Sequence, residues 1–207
     1  MNAHSPGEDV LLPFPAPLAS IGVATELRST LVASSLESLR RKNALARYEK
    51  TVSPAHKDAL LSTVAGLWLP MEMGMAHYEA CDRLDFSVEE ILGIGAEVSH
   101  KVHDTFLGVV MKMATNAGVT PWTLLPKGNT LYGRLFRGGG GTRIIKLGPK
   151  EARADIVGIP VLGIPYFRHA IRGLYQAGLS LFCTRCYVHE MVRHAGAMSI
   201  TLRLAWA

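Results

Sequence analysis

The stretch "MSITLRLAW" at residues 198–206 constrains the fold more than any other. Ile200, Leu202, Leu204 and Trp206 point to one side, and Ser199, Thr201, Arg203 and Ala205 to the other. A side-chain period of two with one apolar face describes a half-buried strand of an antiparallel sheet. Such a strand is not stable alone, so its partners must lie elsewhere in the chain. Candidates stand just upstream. "TRIIKL", a turn at Gly148-Pro149 and "EARADIV" read as one β-hairpin. "LSLFCTRCYVHEMV", a turn near Gly196 and the closing strand read as a second. Between them, "IPYFRHAIRGLYQAG" has helical spacing and is ended by Gly178.

Before the glycine run at 138–141 the period is helical. Leu27, Leu31, Leu36, Leu39 and Leu45 predict a helix within 25–50, although its start, "IGVATELRSTLV", also reads as a short strand. Ser53-Pro54 is an N-cap followed by a first helical position, opening a helix to about Ala65. Pro70 begins another, running to about Leu84. Ser87 and Glu90 have capping-box spacing and start a helical stretch running to about Ala117, with Gly118 as the residue after its end. Thr120-Pro121 opens a further segment to about Phe136, interrupted near Pro126-Lys127-Gly128. The expected class is therefore α+β. A helical N-terminal layer packs on a small antiparallel sheet built from two C-terminal β-hairpins separated by a helix.

Apolar residues make up 48% of the chain and charged ones 19%, which fits a packed domain rather than a disordered one. Residues 1–20, with their prolines and the Glu8-Asp9 pair, are expected to be a flexible lead-in, and 21–207 a single domain. The lead-in has no basic start before a long apolar run, and no apolar run reaches the roughly 18 residues of a membrane helix. Three cysteines make a disulfide framework improbable, so a cytoplasmic setting is expected.

Charge is unevenly placed. Residues 1–126 carry 10 Lys/Arg against 14 Asp/Glu, and residues 127–207 carry 12 against 3. Arg137, Arg143, Lys146 and Arg153 are thus candidates for meeting an anion or an acidic protein partner. Aromatics interleaved with these charges are few, so nucleic acid is not an expected partner.

The "CTRC" of residues 183–186 raises a metal or redox reading. In a strand spanning 179–192, Cys183 and Cys186 would lie on opposite faces and could not share one ion or bridge to each other. A sharper alternative joins His77 and Cys81, four apart on one helical face, with Cys183 and Cys186 as four N/S ligands for zinc. The run "RGGGGTRIIK" is not a Walker loop: it follows a helix, opens a strand and lacks the Gly-Lys-Ser/Thr ending. It reads as a flexible connector. His100 and His103, three apart, have a spacing that metal or haem ligands can use. His169 and Arg172 read as a helix surface. No G-x-S-x-G elbow and no H-E-x-x-H is present.

The order of elements, closed by "YFRHAIRGLYQAGLSLFCTRCYVHEMVRHAGAMSITLRLAW", resembles the fold shared by haem–nitric-oxide-binding domains, 4-vinyl-reductase-type ligand-binding domains and TRAPP subunits. The phrases "WLPMEMGMAHYEACDRL", "SVEEILGIG", "GVTPW", "LGPKEARADIVGIP" and "PYFRHAIRG" resemble an uncharacterised myxobacterial family. The resemblance implies a binding or scaffold domain with a pocket between helices and sheet, dimeric through its helices. Haem members of the group carry a Tyr-x-Ser-x-Arg signature for the propionates. It is not found here, since Tyr187-Val188-His189 does not continue that way, so haem is not expected. Reductase-type members carry several C-terminal cysteines, of which only Cys183 and Cys186 are present.

The leading expectation is a non-enzymatic cytoplasmic sensor or adaptor domain. Trp68, Met71, Met75, Phe106 and Trp122 would surround a small apolar ligand or form the core that replaces such a pocket. The alternatives are a homodimeric interaction scaffold with a basic sheet surface and a zinc-binding regulatory domain.

Overall fold

A computed structural model describes residues 8–98, 119–192 and 196–207. Its elements, in chain order, are β1 (Asp9–Leu12), β2 (Glu26–Arg28), α1 (Ser29–Arg41), α2 (Leu45–Thr51), α3 (Pro54–Leu61), β3 (Trp68–Pro70), α4 (Met71–Asp82) and α5 (88–98). These are followed by α6 (Pro121–Leu124), α7 (Gly128–Leu135), β4 (Phe136–Arg137), β5 (Gly141–Gly148), β6 (Glu151–Val157), α8 (Pro165–Leu179), β7 (Cys186–Glu190) and β8 (Ser199–Trp206). The protein is α+β, with helices first and an antiparallel sheet at the C-terminal end.

The main sheet has strand order β1-β5-β6-β8-β7, all antiparallel. The two expected hairpins, β5–β6 and β7–β8, supply four of its five strands and are joined where β6 pairs with β8, from Glu151↔Ala205 to Val157↔Ser199. The alternation of "SITLRLAW" sets the buried face. Ile200, Leu202 and Leu204 are fully buried, each worth about 1.5–3 kcal/mol on removal from water. Thr201 departs from the alternation because it too is buried; its hydroxyl donates to Asp155 Oδ1 at 3.0 Å on the opposite face.

Residues 9–12, expected within a flexible lead-in, instead form the edge strand β1 against β5. The lead-in is tied down by Asn129, which donates to the Pro13 carbonyl at 3.1 Å, and by a Glu8–Arg153 ion pair at 3.1 Å. A second sheet, β3-β2-β4, joins distant parts of the chain through strands of two or three residues. It absorbs the ambiguous start of the first helix. That helix then stops at Lys42, and Asn43 turns the chain with φ 55° before α2.

Local signals upstream hold. Pro54 stands at the first position of α3 and Pro70 precedes α4. The Ser87–Glu90 capping box is formed, with Glu90 N donating to Ser87 Oγ at 3.2 Å and Ser87 N donating to Glu90 Oε2 at 2.9 Å. From there α5 runs unbroken past Gly93 and Gly95 to residue 98. The expected continuation to Ala117, with His100, His103 and Phe106, lies outside the described residues.

Helix α8 is the central beam. It packs on β7 and on α4, and it approaches α5 closely at two glycines. A Cβ on Gly95 would lie 2.0 Å from the Ala170 carbonyl oxygen, and one on Gly173 2.0 Å from that of Leu92. The four-glycine run is likewise a packing device rather than a flexible connector. Gly138 and Gly140 have φ of 92° and 80°, and Gly140 N donates to the Gly22 carbonyl at 2.9 Å. A Cβ on Gly139 would meet the Gly22 backbone at 2.4 Å. Only glycine allows both the left-handed backbone and that approach.

Candidate functional site

Helices α7 and α8 do not close completely on the sheet. Between them and β5/β6 lies a cavity of about 460 Å³, within the range of cofactor and small-molecule sites. Its floor is Ile144 and Ile156 of the sheet. Leu131, Leu135, Ile171, Leu174 and Leu179 come from the two helices, and Phe136 from β4. Burial here stems from helical spacing: Ile171, Leu174, Tyr175, Gly178 and Leu179 form one stripe of α8 facing inward.

Polar groups enter at defined places. Tyr132 donates its hydroxyl to the Gly139 carbonyl at 2.9 Å, and burial pushes its acidity far out of the physiological range. Burial likewise pushes Tyr175 up to about 12, partly offset by a hydrogen bond with Thr142. Both phenols therefore stay neutral. The small sheet contributes the cationic part. Arg28 lies opposite Trp68 in the β2–β3 register, and its guanidinium stands 4.9 Å from the Trp68 ring centroid; that of Arg137, on β4, stands 3.9 Å from it. All three residues line the cavity. Among the described residues neither guanidinium has a carboxylate partner. Two such cations on one indole, next to an apolar chamber, suit a ligand with an apolar body and an anionic end.

Of the four expected pocket residues among the described ones, only Trp68 lines this cavity. Met71 is buried in the core and Met75 packs against it. Trp122 stacks edge-on against Trp206 at 4.7 Å and donates its indole N–H to the Pro149 carbonyl at 2.8 Å. Phe106 falls outside the described residues. Many of the lining residues that were missed lie in "LYGRLF" and "IRGLYQAGL". Their helical apolar spacing was legible, but the same spacing describes a packed core.

The four expected anion-binding residues separate. Arg137 belongs to the cavity. Arg143 donates twice to Asp155 Oδ2, at 2.7 and 3.0 Å, and Arg153 contacts the same oxygen at 3.3 Å as well as Glu8. Lys146 stands 5.5 Å over the Trp122 ring. The basic sheet surface is thus largely neutralised from within the chain.

The expected metal ligands form two separate pairs. His77 is fully buried, with Nδ1 2.9 Å from the Tyr48 hydroxyl and Nε2 3.6 Å from Cys81 Sγ. Burial lowers its pKa to about 3, so the imidazole is neutral. Cys183 does not lie on a strand. Helix α8 extends to Leu179 and β7 begins only at Cys186, so the opposite-face argument fails. Cys183 Sγ instead contacts the Leu179 carbonyl at 3.3 Å. Burial and then the neighbouring Cys183 thiol push Cys186 up to about 12. Among the described residues no three His, Cys, Asp or Glu side chains converge on a possible ion. His169 Nδ1 and Arg172 Nη1 are 3.0 Å apart. No described helix is long and apolar enough to cross a membrane.

The sequence matches no protein-family model and no curated protein. The fold does match solved structures. The unliganded Fe(II) H-NOX protein from K. algicida superposes with a TM-score of 0.63 at 10% identity, covering 87% of this chain and 97% of that one. An H-NOX family member solved to probe haem distortion gives 0.60 at 10% identity, covering 87% and 95%. An oxygen-binding H-NOX domain related to soluble guanylate cyclases, in its oxygen complex, gives 0.56 at 12% identity, also covering 87% and 95%. The fold therefore resembles that of haem–nitric-oxide-binding domains. The expectation against haem rested on a missing signature, and it does not stand: the solved structures that share the fold are H-NOX domains, whose family is described by its haem.

Proposed function

We propose that this chain is a ligand-binding sensor domain whose cavity between α7, α8 and the sheet takes a flat, mostly apolar molecule with anionic substituents, haem foremost. The observation that carries this reading is the apolar chamber of about 460 Å³ bordered by Arg28, Trp68 and Arg137. The residues present fit such a group in two respects. The aliphatic and aromatic walls match a macrocycle, and the two guanidiniums match its carboxylates by charge and by their forked donors. Bound iron would supply a coordination position for a small gas. Leu131, Leu135, Ile171 and Leu174 exclude water from the chamber, Arg28 and Arg137 fix the anionic edge, and neutral Tyr132 and Tyr175 add no charge to the interior. No described histidine or cysteine lines the cavity, so a side chain that would bind the iron would have to come from elsewhere, and His100 and His103, outside the described residues, are the candidates to test.

The test is titration of the purified protein with haem, followed by visible absorbance. A saturable, stoichiometric Soret shift is expected. Reversing Arg137 to Glu should weaken binding at least ~10-fold, since one charge-assisted hydrogen bond is worth about 1.5–3 kcal/mol. Ile171→Trp, which fills the chamber, should abolish it. His100→Gly and His103→Gly, compared singly, would show by a change in the band which of them binds the iron. Haem uptake unaffected by Ile171→Trp would sink the assignment of this cavity.

A further inference from the structure

Of the described residues that line the main cavity, Gly66, Gly133, Arg134 and Arg137 are exposed, so its mouth lies where the loop before β3 faces α7 and β4. The two sides of that mouth differ. The loop, "STVAGL" at residues 62–67, carries no charge. Its aliphatic side chains stand in solvent, Val64 61% and Leu67 55% exposed. The loop is held in that position. Ser29 N donates to the Leu67 carbonyl at 2.9 Å, Leu67 N to Ser29 Oγ at 2.8 Å and Gly66 N to Thr30 Oγ1 at 3.2 Å. The other side is cationic. The guanidiniums of Arg28 and Arg137 lie on the ring of half-buried Trp68. Glu26 is the small sheet's one acidic residue against them.

Single exposed aliphatic residues need no explanation. Here two of them share one uncharged loop, beside an indole, two arginines and the opening of an apolar chamber. That combination suits the headgroup region of a bilayer: aliphatic tips enter the acyl boundary, tryptophan sits at the interface, and guanidiniums meet phosphates. A nucleic acid would meet the cations but would offer Val64 and Leu67 no apolar depth. We propose that this rim docks on an anionic lipid surface, with Val64 and Leu67 inserted and Arg28 and Arg137 on the headgroup phosphates, and that the cavity's ligand passes between bilayer and chamber through this mouth. The passage rests on the ligand-binding reading above; the docking does not. An amphiphile with an apolar body and an anionic end dissolves in membranes, so a mouth that opens onto one meets its ligand where the ligand is concentrated.

Co-sedimentation of the full chain with phosphatidylcholine vesicles, with and without phosphatidylglycerol, is the test. Binding to the vesicles that contain phosphatidylglycerol is expected, far above that to phosphatidylcholine alone, and it should weaken as salt screens the cations. Arg137→Ala should lower the partition coefficient about 5-fold, the contribution of one cation near an anionic surface. The Val64→Asp/Leu67→Asp double variant should lower it at least ~10-fold. Both side chains are exposed, so circular dichroism should show the fold kept. Ile171→Trp, which fills the chamber, should stop ligand uptake and leave vesicle binding intact, so a failure of the ligand reading is told apart from a failure of docking. No binding to anionic vesicles at low salt overturns the proposal. So does binding that the two aspartates leave unchanged and that polyglutamate displaces, because the rim would then be a cationic patch for an acidic protein.

Discussion

Gly93 and Gly95 are two residues apart on α5, yet replacing each by alanine should change stability in opposite directions. At Gly93 an added Cβ meets nothing within 4 Å, and the residue is exposed. Alanine there gains helix propensity, about 0.5–1 kcal/mol. At Gly95 the same Cβ would stand 2.0 Å from the Ala170 carbonyl oxygen and 2.7 Å from its carbon. The obstacle is backbone of another helix, which cannot rotate aside as a side chain can. Helices α5 and α8 would have to part by about an ångström, and overpacking of this kind typically costs about 1–3 kcal/mol. Set against the propensity gain, Gly95→Ala should destabilise by about 1–2 kcal/mol. The two variants would then differ by about 2–3 kcal/mol, or very roughly 4–12 °C in melting temperature. Urea unfolding followed by circular dichroism measures both. If Gly95→Ala proves as stabilising as Gly93→Ala, the close approach of α5 to α8 is wrong.

Three further outcomes are expected. The pKa of His77 is held near 3 in the folded protein, against 6.5 unfolded, so its contribution is complete above pH 6.5. It is lost at about 1.4 kcal/mol per unit as pH falls toward 3; urea midpoints across pH 4–7 should slope accordingly, and His77→Gln should flatten that slope. Asp155→Asn removes the charge shared by Arg143 and Arg153 on the sheet. It should cost about 2–3 kcal/mol in chemical denaturation, whereas an unchanged midpoint would mean the cluster is merely a solvated surface. Finally, Cys81 and Cys186 are buried and Cys183 is partly exposed, with burial raising all three thiols. Alkylation of native protein, read by mass spectrometry, should modify Cys183 first and slowly, and all three only in denaturant.

Patterns that live within a dozen residues were legible. The Ser87–Glu90 box and the starts at Pro54 and Pro70 depend on atoms three or four residues apart, so their residue types report them directly. The β5–β6 hairpin is equally local, and the alternation of "SITLRLAW" names the buried face of β8. Failures share a cause. "LFCTRCYVHEM" carries strand-like residues throughout, but α8 persists to Leu179 and the chain must turn before it can pair. That moved Cys183 off the strand and beside Cys186. Strand β1 and the small β3-β2-β4 sheet are made by pairing across long sequence separations, and runs of two to four residues carry too little pattern to reveal it.

By itself, then, the amino-acid order determined the α+β class, most helix starts and the paired strands of the C-terminal third, because periodicity and capping are properties of neighbours. Tertiary structure alone decided which apolar stripes meet fully and which leave a chamber. Ile171 and Leu174 look the same in sequence whether they fill a core or line a cavity. It also decided which cations are spent: Arg143 finds Asp155, while Arg28 and Arg137 converge on Trp68. Such outcomes depend on distances between elements remote in the chain, and packing sets those distances only once every element is in place.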